Sequence, residues 1–499
     1  MIETGPGGHA LPRRTSALDR QEVGLALGAG LLAGTAAHLG LGPGLLAGLL
    51  VLTVLLVCTL RLHVAVGALL FTTPLLAYRQ ELLGFNLTLQ RIFLFLGLLA
   101  VLLRLATGRR VILPWTAPVF LLGAYTLLKA IDLSRTLKPD FVLRQISILL
   151  VGLMIIALLA AALRTAEELD RARRVFVLAA VLPVLLAIHQ FVSVLRGTIP
   201  TLPLQQFLSA REPDDARLHV AVQFVVGDWG QFVRVSGSLG GAPPFGEYMA
   251  MMLCVVAAQL VAPREIRGRL LPKILAFVVM FGLLATTFSR SAWLCGFIGL
   301  SAILLLLARD GRVSIVRAAA RFFPLVVLAL AVTLVVVNAD ALRENVLSLL
   351  RPTEGRAGQH LSLRMHAMRI FLDHPLIGVG LGNFGALTGQ GGELSSAHAV
   401  VVTEFAEGGL LGTALLLGTL FTMLGTLGLE IRARARTDTT FFFAVGIFGA
   451  LTVLIVNNLF LYDTLFRDTG WAVMSLAIVA TGVMRRERLA TAPAEGVPA

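Results

Sequence analysis

The sequence predicts an all-α, polytopic transmembrane helix bundle of about 12–14 spans, with two extracytoplasmic segments, the second containing an amphipathic helix. Three observations carry this prediction. Of 499 residues, 57% are hydrophobic and 14% charged, and the mean hydropathy of +0.85 lies far above that of a soluble domain. Apolar runs recur from about Val23 to Val483, many of them near the roughly 20 residues a helix needs to cross hydrocarbon. Runs such as "LLLGTLFTMLGTLGL" are apolar all round, whereas the strands of a membrane barrel alternate apolar and polar residues.

Residues 1–22 read as a polar cytoplasmic tail. Arginines precede the first apolar run and no small-residue cleavage site ends it, so an uncleaved first span is expected. Residues 23–195 hold the N-terminal spans, centred near 32, 51, 70, 98, 122, 152 and 184. The spacing of Gly40, Gly44 and Gly48 suits close helix packing within the chain. Residues 196–244 form the first extracytoplasmic segment, and residues 245–337 the central spans, near 253, 279, 299 and 329. Residues 338–398 form the second segment, residues 399–484 the last spans, near 412, 450 and 477, and residues 485–499 a cytoplasmic tail. This order puts the basic breaks "TGRR", "RTAEELDRARR", "PREIRGRLLPK", "ARDGRVSIVRAAAR", "IRARART" and "MRRERLA" on one side, the cytoplasmic side by the positive-inside rule. The net charge of +13 is thereby read as orientation and not as nucleic-acid binding. Cys58, Cys254 and Cys295 fall in or beside apolar runs and act as small hydrophobes, so no disulfide, zinc or iron–sulfur framework is implied.

In the second outer segment, "LSLRMHAMRIFLDHP" has helical periodicity. Leu361, Met365, Met368 and Leu372 form one apolar stripe, while Ser362, His366, Arg369 and Asp373 line a polar face. Pro375 ends the helix. Such a helix is suited to lie on the bilayer surface or cap the bundle. The glycines of "DHPLIGVGLGNFG" lack the preceding strand and the spacing of a dinucleotide loop. They read as a turn that brings the chain close to the bundle.

Ionisable residues gather at the outer rim. Arg290 stands in a short break between apolar runs, "TTFSRSAW", where a cation is costly unless it is paired or binds an anion. Arg234, Arg364 and Arg369 lie in or beside the outer segments. His398 just precedes the span near 412, with Glu404 and Glu407 roughly one and a half to two and a half turns further on. Glu407 falls within the membrane, a location that makes a carboxylate a functional candidate.

The set "TFSRSAW", the arginine of "SLRMHAMRIFLDHPLIGVGLGNF", and a histidine followed nine residues later by "EGG" resembles the O-antigen ligase and O-antigen polymerase superfamily of bacterial membrane glycosyltransferases. The resemblance covers roughly residues 234–412. It implies that Arg290 and Arg364 are essential arginines and His398 the essential histidine. The family usually has "HN" where this chain has "HA", at Ala399, and usually 12 spans. It further implies transfer of a glycan from undecaprenyl diphosphate to a hydroxyl acceptor, lipid A core or another saccharide, at the outer face of the cytoplasmic membrane. A diphosphate leaving group needs a metal or a cationic clamp. The chain has no Asp-x-Asp motif, which favours a metal-independent clamp of Arg290 and Arg364 with Arg234. His398, helped by Glu407, is then the base for an inverting attack, with Arg369 and Glu404 in support. No cofactor is expected. The alternatives are a polymerase acting on lipid-linked repeat units, a lipid or polysaccharide transporter or flippase, and a non-catalytic scaffold.

Overall fold

The structure, a computed structural model of the chain, describes residues 57, 61–75, 79–82, 85–108, 116–196, 222–227, 230–239, 241–309, 327, 356–388, 397, 399–434, 438–460 and 465–491. Packing divides the chain after Arg61, and the helices and strands numbered here belong to the unit that begins at Leu62. In chain order they are α1 (Leu62–Thr72), the hairpin β1 (Arg79–Leu82) and β2 (Phe85–Thr88), α2 (Leu89–Ala106), α3 (Ala117–Ile131), α4 (Pro139–Ala162), α5 (Ala166–Ala179) and α6 (Val181–Leu195). A second hairpin, β3 (Val222–Gly227) and β4 (Gly230–Val235), precedes α7 (Ala242–Val261), α8 (Arg264–Arg267), α9 (Leu270–Thr286) and α10 (Arg290–Arg309). Last come α11 (Arg356–Asp373), α12 (Phe384–Leu387), α13 (Val400–Ala433), α14 (Thr439–Phe460) and α15 (Asp468–Thr491).

The protein is a polytopic helix bundle. A backbone in hydrocarbon satisfies its polar groups within its own helix, and eight helical stretches among the described residues are long and apolar enough to cross a membrane. They coincide with the spans predicted near 98, 122, 152, 184, 253, 299, 412 and 450. Those near 70 and 279 correspond to α1 and α9, which are apolar but shorter. The span near 477 is α15, which runs on into the charged "RRER" stretch. The spans near 32, 51 and 329, the Gly40–Gly44–Gly48 spacing and Cys58 lie outside the described residues.

Two details depart from the sequence reading. The break "RTAEELDRARR" is mostly helix: Thr165 and Glu168 form a reciprocal capping box that starts α5, and α5 with α6 makes one long apolar stretch. The two hairpins add antiparallel pairs, with Arg79 opposite Thr88 and Gln223 opposite Arg234. Strands this short carry too little alternation to stand out beside apolar helices.

The core is built around α7, buried along nearly its whole length and packed by α9, α10 and α14. Helix α14 approaches to backbone contact because residue 446 is glycine; a Cβ there would lie 2.8 Å from Val255 Cα. Helix α13 runs from the candidate site to the opposite end of the bundle, where Glu430 pairs with Arg488 at 2.9 Å, and just beyond it Arg434 pairs with Glu487 at 2.6 Å and Asp438 at 2.8 Å.

Candidate active site

The site is organised by a break in a helix. At Gly409, α13 turns to φ 59°, ψ −157°, a conformation that costs an L-residue its Cβ clearance. A break inside a bundle strands backbone amides and carbonyls, each costly if unbonded. The segment 375–382 satisfies them. Val379 N–H donates to Ala406 O at 3.0 Å and Gly380 N–H to Glu407 O at 2.9 Å, while Leu410 and Leu411 N–H donate to Pro375 O and Leu376 O at 2.8 and 3.1 Å. Contact this close demands glycine: a Cβ on Gly378, whose φ is +61°, would sit 2.5 Å from the Glu407 carbonyl. The glycine run is a splint for the broken helix, the close-approach turn expected from its sequence.

Glu407 helps fix that splint. Its Oε1 accepts from Gly382 N–H at 2.9 Å and Phe384 N–H at 3.1 Å. Glu404 lies on the same face, less than one turn earlier, and receives Lys129 Nζ on Oε1 at 2.6 Å and the Tyr125 hydroxyl on Oε2 at 2.8 Å. Residue 408 must be glycine for this, since a Cβ there would collide with the Glu404 carboxylate. Lys129 also lies 3.8 Å from Asp132 Oδ2, which accepts from Leu381 N–H at 3.2 Å. Arg135 donates to Gly378 O at 2.7 Å, and Asn383 bridges Leu137 N–H, Arg135 O and Val379 O. Tyr125 and Lys129, four residues apart on α3, share one face. The end of α3, the splint and the start of α13 are thus one hydrogen-bonded unit. It opens on a cleft of about 260 Å³ lined by Lys129, Gln145, Thr403, Glu404, Glu407 and Arg467.

The segment leading into α13 is anchored beside this unit. Ala397 N–H donates to Thr403 Oγ1 at 2.9 Å, and that hydroxyl donates to Ala399 O at 3.1 Å. His398 lies outside the described residues. Helix α11 packs Leu363 and Ala367 against Phe384, Ala397 and Ala406, and Phe371 meets Phe405 with ring centroids 5.0 Å apart. Its sequence-predicted stripe, Leu361, Met365, Met368 and Leu372, is exposed, and a second apolar face makes the contact. Arg364, next to Leu363, is half-buried, and burial pushes its guanidinium below the ordinary arginine range. It keeps its charge at any physiological pH. Arg369 is exposed.

Arg234 reaches a second place, the turn between α9 and α10 that Arg290 follows. Arg234 Nε donates to Thr287 O at 2.7 Å, and Arg290 begins α10 three residues later. Phe288 has φ +48°, a strained value for a bulky residue, which persists only where surroundings impose it. They do so here. Thr287 Oγ1 donates to Leu284 O at 2.6 Å and accepts Ser289 N–H at 3.2 Å, and Trp293 Nε1 donates to Leu284 O at 2.9 Å. A Cβ on Gly246 of α7 would be 2.9 Å from Ala292 Cβ, so α7 braces the turn. A cation at a helix start opposes the helix dipole, so helix stability does not account for Arg290.

The structure therefore brings Arg234 to the turn that Arg290 follows, and sets Glu404 and Glu407 on one cleft. Sequence reasoning missed Tyr125, Lys129, Asp132, Asn383 and Arg467. Lys129 and Asp132, ionisable residues at the end of a predicted span, carried a usable signal by the same argument that singled out Glu407.

Residues 275–417 match the family model described as O-antigen ligase. The matched stretch contains Arg290, Arg364, His398, Glu404 and Glu407, while Tyr125, Lys129, Asp132 and Arg234 lie before it. No curated protein matches the chain. The match supports the O-antigen ligase and polymerase family and a multi-pass membrane enzyme of that type.

Proposed function

From this similarity to the O-antigen ligase and polymerase family, we propose that the protein transfers a glycan from undecaprenyl diphosphate to a hydroxyl acceptor, in the ligase mould, at the outer face of the cytoplasmic membrane. The observation that carries the reading is the braced turn at 287–290, to whose backbone Arg234 is bonded and at whose end Arg290 starts a helix. Guanidinium groups bind phosphate oxygens in pairs, and the positive end of α10 adds to their field. Arg364, partly withdrawn from water, is a further ligand for the leaving diphosphate, since a charge interaction strengthens as the local dielectric falls. His398 takes the acceptor proton as the hydroxyl attacks the anomeric carbon from the face opposite the diphosphate, inverting the centre. Glu404 and Glu407 position the segment that carries it, Glu407 through the splint and Glu404 through Lys129. The exposed stripe of α11 rests on the outer leaflet, where a lipid-borne donor arrives. A polymerase would share donor and clamp and differ in acceptor, lipid A core for a ligase and another lipid-linked saccharide for a polymerase.

The test is transfer from a lipid-linked donor in proteoliposomes, with and without chelator. His398→Ala is expected to lower turnover by about 10²–10⁴-fold and Arg290→Ala by about 10²–10³-fold, with chelator without effect. Undiminished transfer by His398→Ala defeats the base, and loss of transfer on chelation defeats the arginine clamp. Substrate flux across vesicles lacking any acceptor would favour a flippase instead.

A further inference from the structure

At the end of the bundle away from the cleft, where α7 ends and α9 and α14 begin, a small pocket of about 40 Å³ is walled by Arg173, Gln259, Arg267, Lys273, Thr439 and Phe442. Its polar wall is built almost entirely of donors. Arg173 Nη1 donates to Gln259 Oε1 at 3.3 Å. A guanidinium only donates, so this bond fixes which end of the amide is the oxygen. The Gln259 Nε2 group is then a donor on a side chain 8% exposed, with no hydrogen-bond partner among the described residues. Arg267 Nε is likewise buried with no hydrogen-bond partner among them. Lys273 Nζ spends one donor on the Arg267 carbonyl and has two more. Near the pocket Asp170 pairs with Arg173 at 2.8 Å and with Arg174 at 3.4 Å, which leaves Arg267 and Lys273 as surplus positive charge on the wall.

A buried donor without an acceptor costs about 1–3 kcal/mol, and more beside unbalanced charge. The complement of such a wall is a group that only accepts and carries negative charge. At roughly 10–15 Å³ for each water-sized position, the pocket holds about three oxygens, the size of one phosphate and far short of a nucleotide. On α9, Leu270 stands one turn before Lys273 on the same side of the helix and is 37% exposed, an apolar edge of the kind an acyl chain covers. We propose that this pocket binds the phosphate group of an anionic phospholipid, its acyl chains lying along α9. Basic pockets between helix ends suit anionic headgroups, and the positive-inside orientation puts this one in the cytoplasmic leaflet. The site is separate from the candidate active site. From Glu407 to Ala433, α13 covers roughly 40 Å at 1.5 Å per residue.

Native mass spectrometry of the full-length protein, delipidated in detergent and titrated with phosphatidylglycerol, phosphatidylcholine or inorganic phosphate, tests this. Wild type is expected to retain phosphatidylglycerol well above phosphatidylcholine. Arg267→Gln combined with Lys273→Gln should weaken that retention by roughly tenfold or more, the worth of one or two charged hydrogen bonds. Gln259→Leu, which leaves every charge in place, guards against misfolding of the double variant and should weaken it several-fold. Equal retention by wild type and both variants overturns the proposal. Inorganic phosphate displacing phosphatidylglycerol at millimolar concentration also overturns it, because the site would then belong to a free anion. Glycan transfer does not enter either readout, so failure here leaves the proposed reaction untouched.

Discussion

At the cleft end of the bundle, Lys129 meets Glu404 at 2.6 Å with 1% and 6% of the side chains exposed. At the other end of α13, Arg488 meets Glu430 at 2.9 Å with 46% and 11% exposed. Both are close ion pairs, the second through two parallel hydrogen bonds, and they differ most in how much water reaches the cation. The pair whose arginine stays half in water exchanges water for a partner at a small net gain, about 1 kcal/mol. Taking both members of the cleft pair out of water costs several kcal/mol per ion, which their attraction offsets only with good geometry and further hydrogen bonds. Tyr125 and Asp132 supply that geometry. A well-packed apolar pair would often hold α3 to α13 as firmly. The cleft cluster is therefore better understood as fixing one arrangement of α3, the splint and α13 than as strengthening the bundle.

The largest effect that would break this contrast belongs to Lys129. Replacing it with Met leaves Glu404 buried without its cation, while Asp132 keeps Arg135 at 3.5 Å, and should destabilise by about 3–5 kcal/mol, read as the unfolding midpoint in detergent. Adding Glu404→Gln to the same chain should recover much of the loss, because the stranded charge goes with it. A silent single variant, or a double variant no better than the single, would mean that the cluster is not coupled as its distances indicate.

Gly378→Ala comes next and tests the splint itself. A non-glycine residue at φ +61° costs about 1–2 kcal/mol, and fitting a methyl against the Glu407 carbonyl adds about 1–3 kcal/mol. Gly108→Ala is the control, with φ +73° but nothing within 4 Å of its Cβ, so only the first cost applies. Equal losses in the two variants would remove the close approach from the account.

Much of the bundle is legible in the sequence because hydrocarbon dictates it: an apolar run of span length has few structures open to it. The candidate site is legible only where its signal is local. Glu404 and Glu407 stand out as carboxylates in an apolar run, and the glycines of 378–382 as a turn. The partners of Glu404 do not stand out, since Tyr125 and Lys129 reach it across more than 270 residues, a pairing no periodicity encodes. Helix α11 shows the same limit. Its Leu361–Met365–Met368–Leu372 stripe is strong in sequence and exposed in the fold. The face that packs uses Leu363 and the small Ala367, a weaker pattern that matters because a small side chain lets α13 come near. Phe288 gives no hint of its strain, which arises from bonds that α9 and α10 impose on the turn.

The smallest effect is the one that completes the contrast between the ends. Arg488→Ala should cost about 1 kcal/mol, the upper end for a surface pair because its two hydrogen bonds hold a Glu430 only 11% exposed, and the cost should shrink as salt is raised, since screening at 1 M acts within about 3 Å. The neighbouring Arg434 is more buried, at 10%, and holds two carboxylates, which raise its pKa against the opposing pull of burial. Its loss should therefore exceed that of Arg488 and respond less to salt. Unfolding midpoints of the two variants at low and high salt give the comparison directly. If Arg488→Ala proved as damaging as Lys129→Met and insensitive to salt, exposure would not be what separates the two ends, and the cleft cluster would lose its claim to a role beyond holding helices together.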